Sequence, residues 1–309
     1  MVDIAPHPHG PEVLEKNPSL LAPVEVLFSG WGGPRIDAAF LAAAPNLKVV
    51  FYGAGSLQDI ATPAAWKAGI RFTSAYAANG QPVAEFTLAA IIFGLKQVWP
   101  LAMNIKRAGA YPGRTTMPGC YGTTVGIISM GVIARHLCRL LDGFDIHRVV
   151  YDPFLSTTEA AQLGVRQVSL SELFAQSDVV TLHTPWLPET ENMITREHLA
   201  AMKPGSTFIN TARGAVVDES DLLAVAAVRP DILFFLDVTH PEPPLPGSPL
   251  YALPNVILTP HIAGSMDGEC RRMGRCMVDE LRRWMAGEPM QWEITPEIAA
   301  HSSHRPPAA

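Results

Sequence analysis

Short runs of β-branched and aromatic residues recur along the chain, each bounded by polar, Gly or Pro positions. Eight of them, at 24–28, 48–51, 124–128, 148–151, 178–182, 207–210, 232–237 and 255–259, read as buried strands. Longer stretches with helical spacing, such as 132–141 and 219–228, separate most of them. Ser169 with Glu172 three residues on has the form of a capping box. Alternation of strand and helix implies parallel sheets with helices on both faces. An apolar helical stretch at 82–101 leads into a Pro- and Gly-rich segment and then a strong strand from 124, so a hinge is expected near 96–100. That places one domain at 1–96, completed by 266–309, and a second at 97–265. The amphipathic stretch 267–285 is expected to pack back on the first domain.

Composition narrows the function classes. The 309 residues suffice for two cores. A net charge of −6, with 48% hydrophobic and 17% charged residues, describes an ordinary globular enzyme and does not advertise a nucleic-acid or anionic-membrane partner. No apolar run reaches the roughly 18 residues of a membrane-spanning helix. The start, MVDIAPHPHGPEVLEK, does not read as a secretion signal. Residues 1–23 are expected to be irregular and 301–309 to be a frayed tail. Cys120, Cys138, Cys270 and Cys276 form no Cys-x-x-Cys pair and suit reduced core fillers in a cytoplasmic protein. No His/Cys spacing supports a metal site.

The stretch 124–134, TVGIISMGVIA, is a strand, a tight turn and a helix start. In the G-x-G-x-x-G fingerprint one glycine makes the turn, one admits the pyrophosphate and one lets helix and strand pack. Ser129, Gly131 and Ala134 occupy these positions, so Ser129 departs from the pattern. Met130, Gly131, Val132 and Ile133 would present helix N-terminal amides to phosphate. Asp152 ends the next strand, 23 residues after Ser129, near the roughly 20 expected of the acid that binds a ribose. A carboxylate accepts from a 2′-hydroxyl and repels a 2′-phosphate, which favours NAD over NADP.

Three more strand ends carry polar residues: 208–219 (FINTARGAVVDE), 236–243 (LDVTHPEP) and 255–264 (NVILTPHIAG). With 82–85 (PVAE) and 182–190 (LHTPWLPET), they resemble the D-isomer-specific 2-hydroxyacid dehydrogenase family, over roughly residues 47 to 285. The resemblance implies two Rossmann-like, doubly wound parallel-sheet α/β domains with a cleft between them, an NAD cofactor and a homodimer formed through the NAD-binding domain. It also implies hydride transfer between nicotinamide and C2 of a small 2-hydroxy or 2-oxo acid. Carried over by motif, Arg213, Glu242 and His261 form the catalytic set. His261 as imidazolium would give a proton to the ketone oxygen. Glu242 would hold the imidazole, and Arg213 would grip carboxylate and carbonyl. Asp237 resembles the residue that orients the carboxamide. His183, Thr184 and Pro185 would run along the adenosine, while Thr190, Thr211, Ala212 and Gly264 would line the cofactor site. Gly55 and Ser56 would offer amides to the substrate carboxylate, in a loop, GAGSLQD, that departs from the family's commoner Gly-Val-Asp pattern.

Each residue alone has a plainer reading: Arg213 as a solvated charge, His261 as a turn residue, Glu242 as a loop acid. Their order on successive strand ends argues for chemistry. His240 reads as a loop residue, and Trp99, Trp186, Trp284 and Trp292 as packing residues. Residues 24–95 of the first domain offer few cations, Arg35, Lys48, Lys67 and Arg71, which disfavours a phosphorylated acid. The alternative from another class is an NAD-sensing, corepressor-like binding protein without turnover. A third reading, prompted by Ser129, is a degraded cofactor site.

Overall fold

The computed structural model describes residues 3–111 and 117–301. Of the expected tail, everything beyond His301 lies outside the described residues. The strands in chain order are β1 (Val26–Ser29), β2 (Val49–Tyr52), β3 (Arg71–Ser74), β4 (Thr123–Ile128), β5 (Ile146–Tyr151), β6 (Arg166–Gln167), β7 (Val179–Leu182), β8 (Thr207–Asn210), β9 (Leu233–Leu236), β10 (Val256–Leu258) and β11 (Glu293–Ile294). All eight sequence-read strands are present within two residues of their expected ends. β3, β6 and β11 were not foreseen.

The chain divides into two compact units, Met1–Asn79 with Met266–Ala309, and Gly80–Ser265. The first carries the sheet β1-β2-β3-β11, parallel except for β11, which runs antiparallel to β3. Every residue of β2 is buried. Met273 and Met277, from the helix Cys270–Met285, join Phe51 and Phe72 in its core. Burying each such phenylalanine contributes about 1.5–3 kcal/mol. The amphipathic C-terminal stretch thus returns to the first unit, as its pattern implies.

The second unit holds seven parallel strands in the order β10-β9-β8-β7-β4-β5-β6. The chain starts at the central β4, steps outward to β6, then restarts at β7 on the other flank. The reversal between β4 and β7 opens a crevice at their carboxyl ends. β7, β8 and β9 are buried throughout, as strands covered on both faces must be.

The division between units falls after Asn79 rather than near 96–100. The helix Tyr76–Leu95 continues through that point, and its Ala84, Ala90, Ile91 and Leu95 pack with Val125 and Ile127 of β4. The expected single stretch 82–101 is two helices, Tyr76–Leu95 and Val98–Ala108, bent by 56°. Gln97, with φ +50°, makes the bend. Among the described residues no single helix is long and apolar enough to cross a membrane.

Candidate functional site

Ser129 follows β4 directly and has φ +71°. A side chain in this left-handed region costs about 1–2 kcal/mol relative to glycine. The turn survives because Ser129 is tied at both ends of its residue. Its N–H donates to Tyr151 O at 2.8 Å, and its hydroxyl lies 2.8 Å from the Thr184 hydroxyl just past β7. The serine, at the end of β4, therefore ties it to the ends of both neighbouring strands, β5 and β7. Gly131 caps the helix Val132–Leu141 without a side-chain hydrogen bond, and a Cβ on it would meet nothing within 4 Å. The first amides of that helix are left without a cap. Asp152, just past β5, accepts from Met130 N and Phe154 N, both at 2.7 Å. It braces the glycine loop from the neighbouring strand end.

Loops after β8, β9 and β10 bring Arg213, Glu242 and His261 together. His261 Nδ1 lies 2.6 Å from Glu242 Oε1, with both side chains partly open to solvent. Burial pushes the Glu242 carboxyl up, but the His261 hydrogen bond and the charges of His261 and Arg213 outweigh it. The carboxyl ends below its usual range. His261 itself has φ +55°, a conformation His tolerates better than most residues. It is held there by Asp237, buried at 1% exposure at the end of β9. The Asp237 backbone carbonyl accepts from His261 N at 3.0 Å. Its carboxylate accepts from Thr259 Oγ1, Ile262 N and Ala263 N at 2.5, 2.9 and 3.0 Å. A structural task thus occupies three of the roughly four acceptor sites of a residue singled out for the cofactor.

Arg213 donates Nη1–H to Ala212 O at 2.6 Å, which engages one of five donors. Burial pulls the guanidinium below its usual range while Glu242 opposes the shift; it stays charged. Asn210, not assigned a role from sequence, shapes the loop. It accepts from Ala212 N at 2.9 Å and donates to Arg213 O at 3.0 Å. Gly214 was also passed over. A Cβ there would lie 2.0 Å from Thr239 C and 2.5 Å from His240 N, so the Arg213 and Glu242 loops touch backbone to backbone.

Residues 88–263 match the model of the NAD-binding domain of the D-isomer specific 2-hydroxyacid dehydrogenases. The chain belongs to this family. NAD is the cofactor of the matched domain. The chain is 36% identical over 251 residues to an (S)-sulfolactate dehydrogenase from Chromohalobacter salexigens, covering 81% of each chain. It is 34% identical over 255 residues to a D-3-phosphoglycerate dehydrogenase from Mycobacterium bovis, covering 82% of this chain and 48% of that one. The chain thus spans about half the length of its phosphoglycerate dehydrogenase relatives. A glyoxylate reductase structure from Paecilomyes thermophila superimposes with a TM-score of 0.76 at 27% identity, over 94% of this chain and 89% of the other.

In this member of the D-2-hydroxyacid dehydrogenases, the other expected site residues fall into four pairs. His183 and Thr184 sit at the crevice. His183 is buried, its Nε2 3.1 Å from Thr181 Oγ1 and its Nδ1 without a partner, and burial lowers its pKa to about 4. Thr211 is buried and Thr190 half-buried. Thr190 closes its own loop, donating to Pro185 O at 2.6 Å and accepting from Leu187 N at 2.8 Å. Thr211 lies 3.2 Å from the Thr87 hydroxyl; Thr87 gives its proton to Val83 O at 2.7 Å, so Thr211 is the donor. Ala212 is buried, and Gly264 is partly exposed in the loop past His261. Gly55 and Ser56 follow β2 in the first unit, where Ser74 Oγ bonds the Ala54 carbonyl at 2.9 Å and also the Gly55 carbonyl. The tryptophans pack: Trp99 on Phe235, Trp292 against Tyr76, Trp186 edge-on to His240, and Trp284 beside the first unit's core.

Proposed function

We propose that the protein is an NAD-dependent reductase of small 2-oxo acids, which in reverse oxidises D-2-hydroxy acids. The observation that carries this reading is the 2.6 Å His261–Glu242 pair at successive strand ends, with Arg213 on the next. A protein that only sensed NAD would have no use for an acid–base pair so arranged, which sets the corepressor-like alternative second.

The residues fit a dinucleotide. The uncapped helix start at Gly131 suits a pyrophosphate, and Asp152 suits a ribose diol. His183, Thr184, Pro185, Thr190, Thr211, Ala212 and Gly264 complete the proposed cofactor contacts, with the remaining acceptor capacity of Asp237 for the carboxamide. The bound nicotinamide supplies a hydride to C2 of the acid, or takes one back. His261 gives the ketone oxygen its proton from Nε2, because Nδ1 is engaged by Glu242. Glu242, ionised at neutral pH, stabilises the imidazolium that must exist before the proton leaves. Arg213 orients the acid through its carboxylate and polarises the carbonyl. Gly55 and Ser56, in the first unit, are proposed substrate residues through their backbone amides. The reading assigns NAD binding to the second unit and substrate binding to the first. It also carries a homodimer through the NAD-binding unit and a cytoplasmic setting, the latter supported by four free cysteines.

Lys48 and Arg71 already pair with Glu25 and Glu293, which supports glyoxylate, pyruvate or hydroxypyruvate as first choices. Arg271, Arg272 and Arg275 open the helix Cys270–Met285, positive charge that sequence reading overlooked. Phosphorylated and sulfonated 2-oxo acids therefore belong in the same screen. With the best acid of that panel, His261→Ala is expected to cut kcat by about 10²–10⁴-fold while NADH fluorescence still reports binding. Retained turnover in the variant would remove His261 from the reaction.

A further inference from the structure

The first glycine of a dinucleotide fingerprint serves the turn alone, yet here that position carries a hydroxyl. Ser129 holds the turn at φ +71°, where a Cβ is a burden. Backbone strain of this kind points to a task for the side chain. The amides beside it are committed. Ser129 N–H donates to Tyr151 O at 2.8 Å, and Met130 N–H to Asp152 Oδ2 at 2.7 Å. These two residues therefore offer an incoming anion no backbone donor. The hydroxyl differs. Its one partner among the described residues is the Thr184 hydroxyl, at 2.8 Å. Two hydroxyls place one proton in such a bond and leave the second over. Thr184 is 3% exposed, whereas Ser129 is partly exposed. A buried hydroxyl whose proton finds no acceptor is costly, and a proton on the more open partner is not. Thr184 has no second acceptor among the described residues, so Thr184 donates and Ser129 accepts. The Ser129 proton is the one left over, at the carboxyl end of β4 and three residues ahead of the uncapped helix Val132–Leu141. The Nδ1 of His183, next to Thr184, is also buried without a partner. Polar capacity that the protein itself does not use thus collects where β4 and β7 end.

Resting on the dinucleotide site proposed above, we propose that Ser129 is a cofactor-binding residue whose hydroxyl, oriented by Thr184, donates a hydrogen bond to the pyrophosphate. Ionised phosphate oxygens accept hydrogen bonds, so a hydroxyl that already accepts from Thr184 presents them with its proton. A glycine here would make the turn with less strain and would lose the donor. The serine strains the empty protein and strengthens the loaded one, the opposite of a degraded fingerprint.

Ser129→Gly, Ser129→Ala and Thr184→Val test this in the whole chain, by titration with NADH and with ADP-ribose, which carries the pyrophosphate but no nicotinamide. Ser129→Gly and Ser129→Ala are each expected to bind both ligands about tenfold more weakly than the parent. Thr184→Val keeps the Ser129 hydroxyl and removes only its orientation, so its loss is expected to stay within about threefold. Without ligand, Ser129→Gly should unfold in urea at or above the midpoint of the parent, because glycine suits the turn; a lower midpoint contradicts a strained serine. Parent-like affinity in Ser129→Gly overturns the proposal and leaves the serine a mere substitute for glycine. So does a loss in Thr184→Val equal to that in Ser129→Gly, since the hydroxyl would then act only as a tie between strands. A loss confined to NADH, with ADP-ribose unaffected, also contradicts it. None of these readouts requires turnover. A protein that shows the expected pattern and reduces no acid would defeat the reductase assignment and leave the role of Ser129 standing.

Discussion

Asp152 spends each carboxylate oxygen on one backbone amide, Met130 N and Phe154 N. Its place past β5 and its ribose role were both inferred from spacing; its bracing of the glycine loop was not. The two tasks are compatible, since each oxygen keeps a further lone pair for a hydroxyl. Asp152→Ala is then expected to erode the preference for NADH over NADPH by about tenfold, equivalent to about 1.4 kcal/mol, in paired kcat/KM measurements. An unchanged ratio would take Asp152 out of the ribose site. Polar residues that follow an apolar run, such as Arg213 and His261, are legible one at a time because chain order places them at strand ends. Partners supplied by another strand are not. Nothing local says that Ser129 meets Thr184, 55 positions away, or that Asp237 holds the loop of His261.

Elements were legible where their pattern was long enough. β8 was read to its exact bounds because four apolar-to-polar residues end at Asn210. β6 and β11 have two residues each, too few for a period to show, and β11 exists only because the returning C-terminal segment finds the edge of β3. The bend at Gln97 was hidden because the apolar pattern runs through it. At this scale Gly214 is the most demanding position, since its Cα faces another loop's backbone with no room for a methyl group. Gly214→Ala is expected to push the two loops apart, at a cost of about 1–3 kcal/mol in denaturant unfolding, with kcat falling further than stability. A variant as stable and active as the parent would show that the loops do not meet there.

Across the molecule, the β4–β7 crevice imposes a pH dependence on stability through His183. The unfolded side chain takes a proton near its ordinary value of about 6.5, whereas the buried one resists until about 4. The unfolded state thus binds more protons throughout that interval, and stability falls as pH drops through it. At pH 5 the loss relative to pH 7 is about 2 kcal/mol. Urea unfolding of the parent and of His183→Gln at the two pH values should differ in pH sensitivity by that amount, and equal sensitivity would contradict a buried neutral His183. The two-unit organisation was legible from strand–helix alternation, but the boundary was not. The helix Tyr76–Leu95 begins in one unit and packs in the other's core, so no break in pattern marks the division.

The defining step of the proposed reaction is hydride transfer to C2 of a 2-oxo acid. Incubation with nicotinamide deuterated at its transferable position, followed by mass and chiral analysis of the acids, tests it most directly. The expected product is a D-2-hydroxy acid carrying deuterium at C2, one per cofactor oxidised, formed about 10²–10⁴-fold more slowly by His261→Ala. Tight NADH binding with no deuterium in any acid of the panel would contradict it.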